Sequence, residues 1–351
     1  MGLAKIHVSP SYQSEARGSS LGLRRTYELL SLVTSSLRRP VLVRTVVIGA
    51  INWDINLFVK KFPRGGEETV VDRITRVPGG KAGNVAVAAA RLLGPNQAAI
   101  LGGLGKDTVS TEQVRIFQEE GVVTSGLKFS QNEESGQAYI LIDEHGENII
   151  HSFRGANSSI APEDLDDPTR MELVSTALVV TIMDPPFETS LKLAKEAKQL
   201  GKIIAWDPGV KSEMGLKRVE ALLESVDYVA ANESEIANLT GTGNIRAGAR
   251  KLIKVNPKLK AVTRLGAKGC ALYHGTKRIA CRALDLRFHG LKVVSTVGCG
   301  DAFLGAFVAA LSEGRSDKEA LRWGNCAGGL KATRPETRGS PDRATLLKYL
   351  T

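Results

Sequence analysis

From residue 45 onward, short runs of β-branched and small apolar residues alternate with longer stretches in which apolar positions recur every three or four residues. Val46-Val47-Ile48-Gly49-Ala50-Ile51 is apolar throughout and ends in small residues, the pattern of a strand buried on both faces. Further strand-like runs fall at 98–101, 177–182, 202–206 and 228–231, with helix-like stretches at 113–120, 188–200 and 233–239. Such alternation predicts parallel strands joined by crossover helices, and so an α/β fold with a doubly wound, mostly parallel sheet and helices on both faces.

Two stretches, about 55–78 and 137–154, break the alternation and read as extended segments. The second is a hairpin turning at Asp143-Glu144-His145-Gly146. Together they predict a small β-sheet lid set into the large domain, which spans 45–345.

Residues 1–44 have a different texture: they are rich in Ser and Arg, poor in acid, and carry five of the chain's ten net positive charges. A transit peptide, a translation start placed too far upstream and an unstructured tail all fit this extension, and it is assigned no chemistry. Its Gly18-Ser19-Ser20-Leu21-Gly22 has the spacing of a nucleophile elbow but lacks the strand and helix that such a turn needs.

Composition narrows the functional classes. With 42% hydrophobic and 24% charged residues among 351, the chain is neither disordered nor fibrous. A net charge of +10 favours anionic ligands, and phosphorylated small molecules satisfy it as well as nucleic acid does. Cys270, Cys281, Cys299 and Cys326 form no CxxC pair, which speaks against zinc and a disulfide framework and for a reducing cytoplasm. No apolar run reaches the roughly 18 residues of a membrane span. No P-loop occurs, since Gly105-Lys106-Asp107 lacks both the glycine-rich lead-in and the Ser or Thr.

The strongest chemical signal is Thr296-Val297-Gly298-Cys299-Gly300-Asp301-Ala302-Phe303. An apolar run at 291–294 is expected to enter it as a strand, and a small-residue helix to leave it. That arrangement would aim the N–H groups of Gly298, Cys299 and Gly300 at one point beside a helix N-terminus, forming an anion hole. Asp301, in the first helical turn, reads alone as a dipole-complementing cap; beside an anion hole it becomes a candidate general base for phosphoryl transfer. A second glycine pair, in Gly79-Gly80-Lys81-Ala82-Gly83-Asn84, precedes an Ala-rich helix suited to burial, where Lys81 and Asn84 would be costly unless they faced a polar ligand. Asn52 and Asp54 lie just after the first strand, at the carboxyl end where open α/β sheets bind ligands.

These motifs, with Gly155-Ala156-Asn157, Asp207-Pro208, Asn232-Glu233-Ser234-Glu235 and Leu265-Gly266-Ala267-Lys268-Gly269 between them in order, resemble the PfkB-type, ribokinase-like carbohydrate kinase family from about residue 45 to 345. The resemblance implies an ATP-dependent sugar kinase with Asp301 as general base and Gly298, Cys299 and Gly300 stabilising the phosphoryl oxygens. It implies that Asn52, Asp54, Gly80, Lys81 and Asn84 hold sugar hydroxyls, with Asp184 near a further sugar-contacting acid. Asn232 and Glu235 would organise Mg2+ and phosphate through water, Glu235 as the metal's residue; Arg264, Gly266 and Gly269 match the nucleotide loop, and Asn325 the adenine pocket. Ser295 stands where such kinases usually carry Asp, and Arg334-Pro335-Glu336-Thr337-Arg338 lacks the usual glycine, so a monovalent cation is not carried over.

The motifs do not separate the acceptors. Lys81 and Arg154 could bind a phosphate already on the substrate, as in a 6-phosphofructokinase, and a nucleoside kinase is a further alternative. The Asn52, Asp54, Gly80, Lys81, Asn84 pattern favours a free pentose or hexose. The expected partners are therefore a sugar or sugar phosphate and ATP, with no nucleic acid and no membrane, in a homodimer paired through the lid. A non-catalytic regulator that binds nucleic acid through the basic leader is the contrasting class.

Overall fold

Thr45–Ile48 forms β1, buried at every position, and lies between β4 (Ala98–Gly105) and β9 (Val179–Ile182), both parallel to it. The computed structural model describes residues 42–350; the transit-peptide reading and the Gly18–Gly22 pattern lie outside the described residues. Successive side chains of a strand point to opposite faces, and the two faces of this sheet feed two cores. Val47 and Ile100 pack on one side; Val46, Ile48, Ala99 and Leu101 pack on the other. This is why the sequence shows unbroken apolar runs here rather than alternation.

The sheet extends from β1 in both directions. Beyond β4 lie β5 (Val122–Val123) and, on the same strand's other half, β6 (Leu127–Ser130). Beyond β9 come β10 (Ile203–Trp206), β11 (Tyr228–Asn232) and β12 (Lys260–Arg264), all parallel, then an antiparallel edge of β13 (Cys270–His274) and β14 (Lys277–Cys281). On one face sit α1 (Lys81–Leu93), α2 (Thr108–Glu119), α8 (Cys299–Ser312), α9 (Asp317–Ala332) and α10 (Arg343–Tyr349). On the other sit α3 (Pro168–Thr176), α4 (Phe187–Gln199), α5 (Leu216–Leu223), α6 (Glu233–Thr240) and α7 (Ile245–Val255).

The lid is a second, four-stranded sheet in the order β3 (Val71–Gly79), β2 (Asn52–Val59), β7 (Gly136–Ile142), β8 (Asn148–Phe153). Strand β2 starts at Asn52, three residues before the expected boundary, because the chain leaves β1 and enters the lid almost at once. The β7–β8 turn forms as expected, with Asp143 Oδ1 accepting from the His145 and Glu147 N–H groups. The expected strand at 291–294 does not form. That segment runs free of both sheets, and the Val294 and Ser295 N–H groups donate instead to the Ala332 carbonyl at the end of α9, at 2.7 and 3.1 Å.

Helices α1 and α8 carry the two glycine motifs at their N-termini, and their small residues let them approach closely. A Cβ on Gly305 would lie 2.5 Å from Ala88 Cβ and 2.9 Å from the Val85 carbonyl oxygen, so any side chain there forces the helices apart. Phe307, fully buried on α8, packs edge-on to Tyr228 and stacks with Phe303, fixing the helix on the sheet. G305A is expected to lower stability by about 1–3 kcal/mol, the usual cost of overpacking, and to lower turnover by separating the two helix N-termini. Urea denaturation checks the first effect; an unchanged midpoint would show that the contact is not constrained.

Candidate active site

The N-terminus of α8 is built by a left-handed turn. Gly298 caps the helix at φ 82°, and a Cβ there would lie 2.3 Å from the Thr337 carbonyl oxygen, so both backbone conformation and space exclude a side chain. The first N–H groups of a helix have no partner within it. Among the described residues, those of Gly298, Gly300 and Asp301 meet no protein acceptor, whereas the Cys299 N–H donates to the Thr296 carbonyl at 3.2 Å. Of the three amides expected to converge, two are therefore free in this conformation, and the Asp301 amide joins them.

Asp301 follows in the first turn, buried, with Oδ2 accepting from Asn84 Nδ2 at 2.8 Å. Burial pushes its carboxyl above the ordinary range, while Lys81 and the Asn84 hydrogen bond oppose the rise. Asn84 is oriented by Arg338, whose Nε donates to Asn84 Oδ1 at 3.1 Å, so the amide must present its NH2 to Asp301. Arg338 also donates to the Gly79 carbonyl at 2.7 Å, and its other terminal nitrogen, Nη1, has no hydrogen-bond partner. Burial pushes Arg338 down to about 9, and Asp54 opposes that. Sequence reasoning met Arg338 only as the end of the 334–338 stretch and gave it no role, because nothing in the sequence brings a residue thirty-seven positions after Asp301 next to Asn84.

A second cluster adjoins the first. The Arg264 guanidinium bridges two buried carboxylates, Asp207 at 2.8 Å and Glu235 at 2.9 Å, and Lys81 Nζ stands 3.6 Å from Asp207 and 3.9 Å from Glu235. Burial alone would raise Asp207, but Arg264 and Lys81 hold it below the usual carboxylate range. Asp207, in turn, raises Lys81 above its ordinary value. Lys81 is therefore turned toward carboxylates, and Asn84 toward Asp301 and Arg338, rather than both being free for a hydroxyl. Asp207 was visible only as a weak Asp-Pro match, and its role emerges from the sheet, which sets the ends of β10, β11 and β12 side by side.

The other expected residues divide by location. Gly80 caps α1 at φ 85°, where a Cβ would lie 2.4 Å from the Asn52 nitrogen. Asn52 accepts from Asn157 Nδ2 at 2.8 Å through its side chain and from Gln113 Nε2 at 2.6 Å through its carbonyl, which ties the lid's first strand to the large domain. Asp54, on β2, is buried, its carboxyl raised to about 7 by burial and by Asp301, with Arg338 opposing. Asp184 pairs with Lys211 at 2.6 Å. Arg154 is exposed beside the lid and has no ion-pair partner among the described residues.

Farther along the sheet edge, Asn232 caps α6 in a capping box with Glu235: each side chain accepts from the other's N–H at 2.8 Å. Gly266 and Gly269 form a turn with positive φ after β12, and Asn325 of α9 donates to the Cys281 and Arg282 carbonyls at 3.0 and 3.1 Å. Arg264 lies under these groups, between carboxylates, rather than at the surface. Among the described residues no three acidic, His or Cys side chains cluster as a metal cage. The donor set fits a magnesium ion carried in on phosphate oxygens and water, which needs only one or two carboxylates, here Glu235.

Comparison with known proteins places the whole domain in one family. The family model described as pfkB family carbohydrate kinase matches residues 44–343. A ribokinase of Arabidopsis thaliana is 30% identical over 318 residues, covering 87% of this chain and 80% of that protein. An ATP-dependent ribose-1-phosphate kinase of Halopiger xanaduensis is 26% identical over 309 residues, covering 88% and 98%. The structure of an Arabidopsis thaliana ribokinase complexed with ribose and ATP superposes with a TM-score of 0.77 at 28% identity, covering 88% of this chain and 99% of that one.

A carboxyl whose folded pKa is raised binds its proton more tightly folded than unfolded. Asp54 therefore stabilises the fold fully below its ordinary value of 3.8, and that contribution is lost as pH rises through about 7. D54N is expected to flatten this part of the stability curve by an amount on the order of a few kcal/mol. Chemical denaturation of both proteins at pH 4 and pH 8 checks it; parallel curves would show that Asp54 is not a buried neutral acid.

Proposed function

The chain belongs to the pfkB family of carbohydrate kinases and is an ATP-dependent sugar kinase, and from that premise we propose that it phosphorylates a free pentose, ribose first among them, with Asp301 as general base. The observation that carries this reading is Asp301 itself: buried, held by Asn84 through one oxygen, and adjoining unpartnered amides at a helix N-terminus. Oδ1 is left to accept the proton of an attacking hydroxyl. Its raised pKa moves it toward the range in which a base works best at neutral pH.

In this mechanism the sugar lies at the carboxyl end of β1, between the lid strand β2 and the start of α1, with Asn52 and Asp54 at its hydroxyls. The γ-phosphoryl group of ATP faces the N-terminus of α8, where the Gly298, Gly300 and Asp301 N–H groups and the helix dipole stabilise the charge on its oxygens. Lys81 and Arg264 offset the charge of Asp207 and Glu235, which would otherwise repel the phosphates. Magnesium, when bound with ATP, supplies charge neutralisation of the phosphates, and Glu235 would hold its water shell. Lid closure excludes the water that would compete with the sugar as acceptor.

A second reading, phosphorylation of a sugar phosphate, is favoured by one feature: Arg154 is an unpaired guanidinium at the lid. The exposed apolar side chains Ile149, Ile150, Phe153, Tyr139 and Ile74 on the lid sheet support pairing of two copies there. No helix among the described residues is long and apolar enough to cross a membrane, and four unpaired cysteines support a cytoplasmic setting.

D301N is expected to keep sugar and ATP binding and lose turnover by about 10²–10⁴-fold, the range for a positioned base. Steady-state kinetics with ribose checks this, and wild-type kcat in the variant would refute the role. R154M is expected to leave ribose kinetics unchanged. If the second reading holds, it instead raises KM for ribose 1-phosphate or fructose 6-phosphate selectively.

A further inference from the structure

Lys331 is fully buried although no carboxylate lies within salt-bridge distance of it. It stands in the last turn of α9, where the unpaired carbonyls of a helix end favour a cation. Its Nζ donates to the Ser295 carbonyl and to the Arg334 carbonyl, each at 3.0 Å. These oxygens belong to two separate loops. Ser295 leads into the turn that carries Gly298 and Gly300, and Arg334 leads into the loop that carries Thr337 and Arg338.

Lys331 is the side chain that donates to both loops, alongside the Arg91 and Arg338 hydrogen bonds that hold the second one to α1 and the Gly79 carbonyl. The segment before Gly298 is not a strand; it is held by the Ala332 carbonyl, which takes the Val294 and Ser295 N–H groups, by the Lys331 ammonium, and by Cys299, whose N–H and thiol donate to the Thr296 and Ser295 carbonyls. Thr337 packs its carbonyl against the Cα of Gly298, and Arg338 orients the Asn84 amide that holds Asp301. Burial pushes the Lys331 pKa down, while Cys299, Glu336 and Asp301 oppose the fall. An ammonium kept in such a place, with main-chain oxygens as its partners, has the surroundings that a bound alkali cation would have.

We propose that the Lys331 ammonium is a built-in cation that joins the 294–300 and 333–338 loops and so positions the anion hole, making phosphoryl transfer independent of free monovalent cations. Lys331 touches no reacting atom in this scheme and is a positioning residue. The inference rests on the anion-hole reading above, which D301N tests separately.

Three proteins test it: wild type, K331A and K331M, compared in tetramethylammonium chloride and in potassium or methylammonium chloride at equal ionic strength. Wild-type turnover is expected to be the same in all three salts. In K331A, kcat is expected to fall by about tenfold or more with smaller changes in KM, as for a weakened anion hole, and potassium or methylammonium should restore part of kcat and raise Tm. K331M, whose apolar side chain fills the space, should lose kcat without being restored. Wild-type dependence on potassium would overturn the proposal, as would a folded K331A with normal kcat or with a loss that no cation relieves. Should neither variant fold, the wild-type salt series still decides. If the wild type turns over no sugar, the anion-hole reading fails, while the Tm of K331A still reports whether a cation fills the site.

Discussion

The hydrogen bond from Asn84 to Asp301 joins the first turns of two buried helices, and the geometry of the site depends on it. It can form only because α1 and α8 pack with their backbones nearly touching at Gly305 and Ala88. The burial that this packing enforces raises the Asp301 carboxyl and keeps water from it, while the same helix end leaves amides free to face an anion. On the proposed reading, a base and an anion hole thus come from one structural device. The base needs desolvation, and the hole needs a helix start without side-chain caps, which Gly298 supplies.

Buried charge is expensive unless it is paired, and the site meets that condition through a connected network. Arg264 joins Asp207 to Glu235, Lys81 reaches both, and Arg338 stands between Asp54 and the Asn84–Asp301 pair. These groups come from the start of the lid strand β2, the ends of β10 and β12, the first turns of α1, α6 and α8, and the loop after α9. The parallel sheet sets the ends of β10, β11 and β12 side by side, and the lid and the 333–342 loop bring the others to them. The site is therefore assembled by topology: no two of the four carboxylates are closer than twenty-eight positions in the chain.

Much of this was legible in the sequence. The doubly apolar runs gave away the parallel strands, since a strand with cores on both faces cannot alternate. The two glycine motifs located the helix starts, because each is a place where a Cβ would collide with main chain. The lid was visible as two extended segments outside the α/β rhythm. What escaped was whatever depends on contacts distant in sequence. The run at 291–294 has strand composition, yet it pairs with neither sheet: Leu291 donates to the Leu286 carbonyl, and Val294 to the end of α9. Arg338 and Lys331 look like ordinary surface cations in a Lys- and Arg-rich chain, and only the fold shows them buried. Lys81 and Asn84 were singled out because they would be costly in a core, and the fold supplies them with other protein groups as partners.

The most direct test of the central claim is a crystal structure with ribose, ADP and aluminium fluoride, the last standing in for the transferring phosphoryl group. The account predicts fluoride hydrogen-bonded to the Gly298 and Gly300 N–H groups, and the acceptor hydroxyl of ribose within hydrogen-bond distance of Asp301. A fluoride group bound away from the start of α8, or a sugar hydroxyl out of reach of that carboxylate, would contradict it.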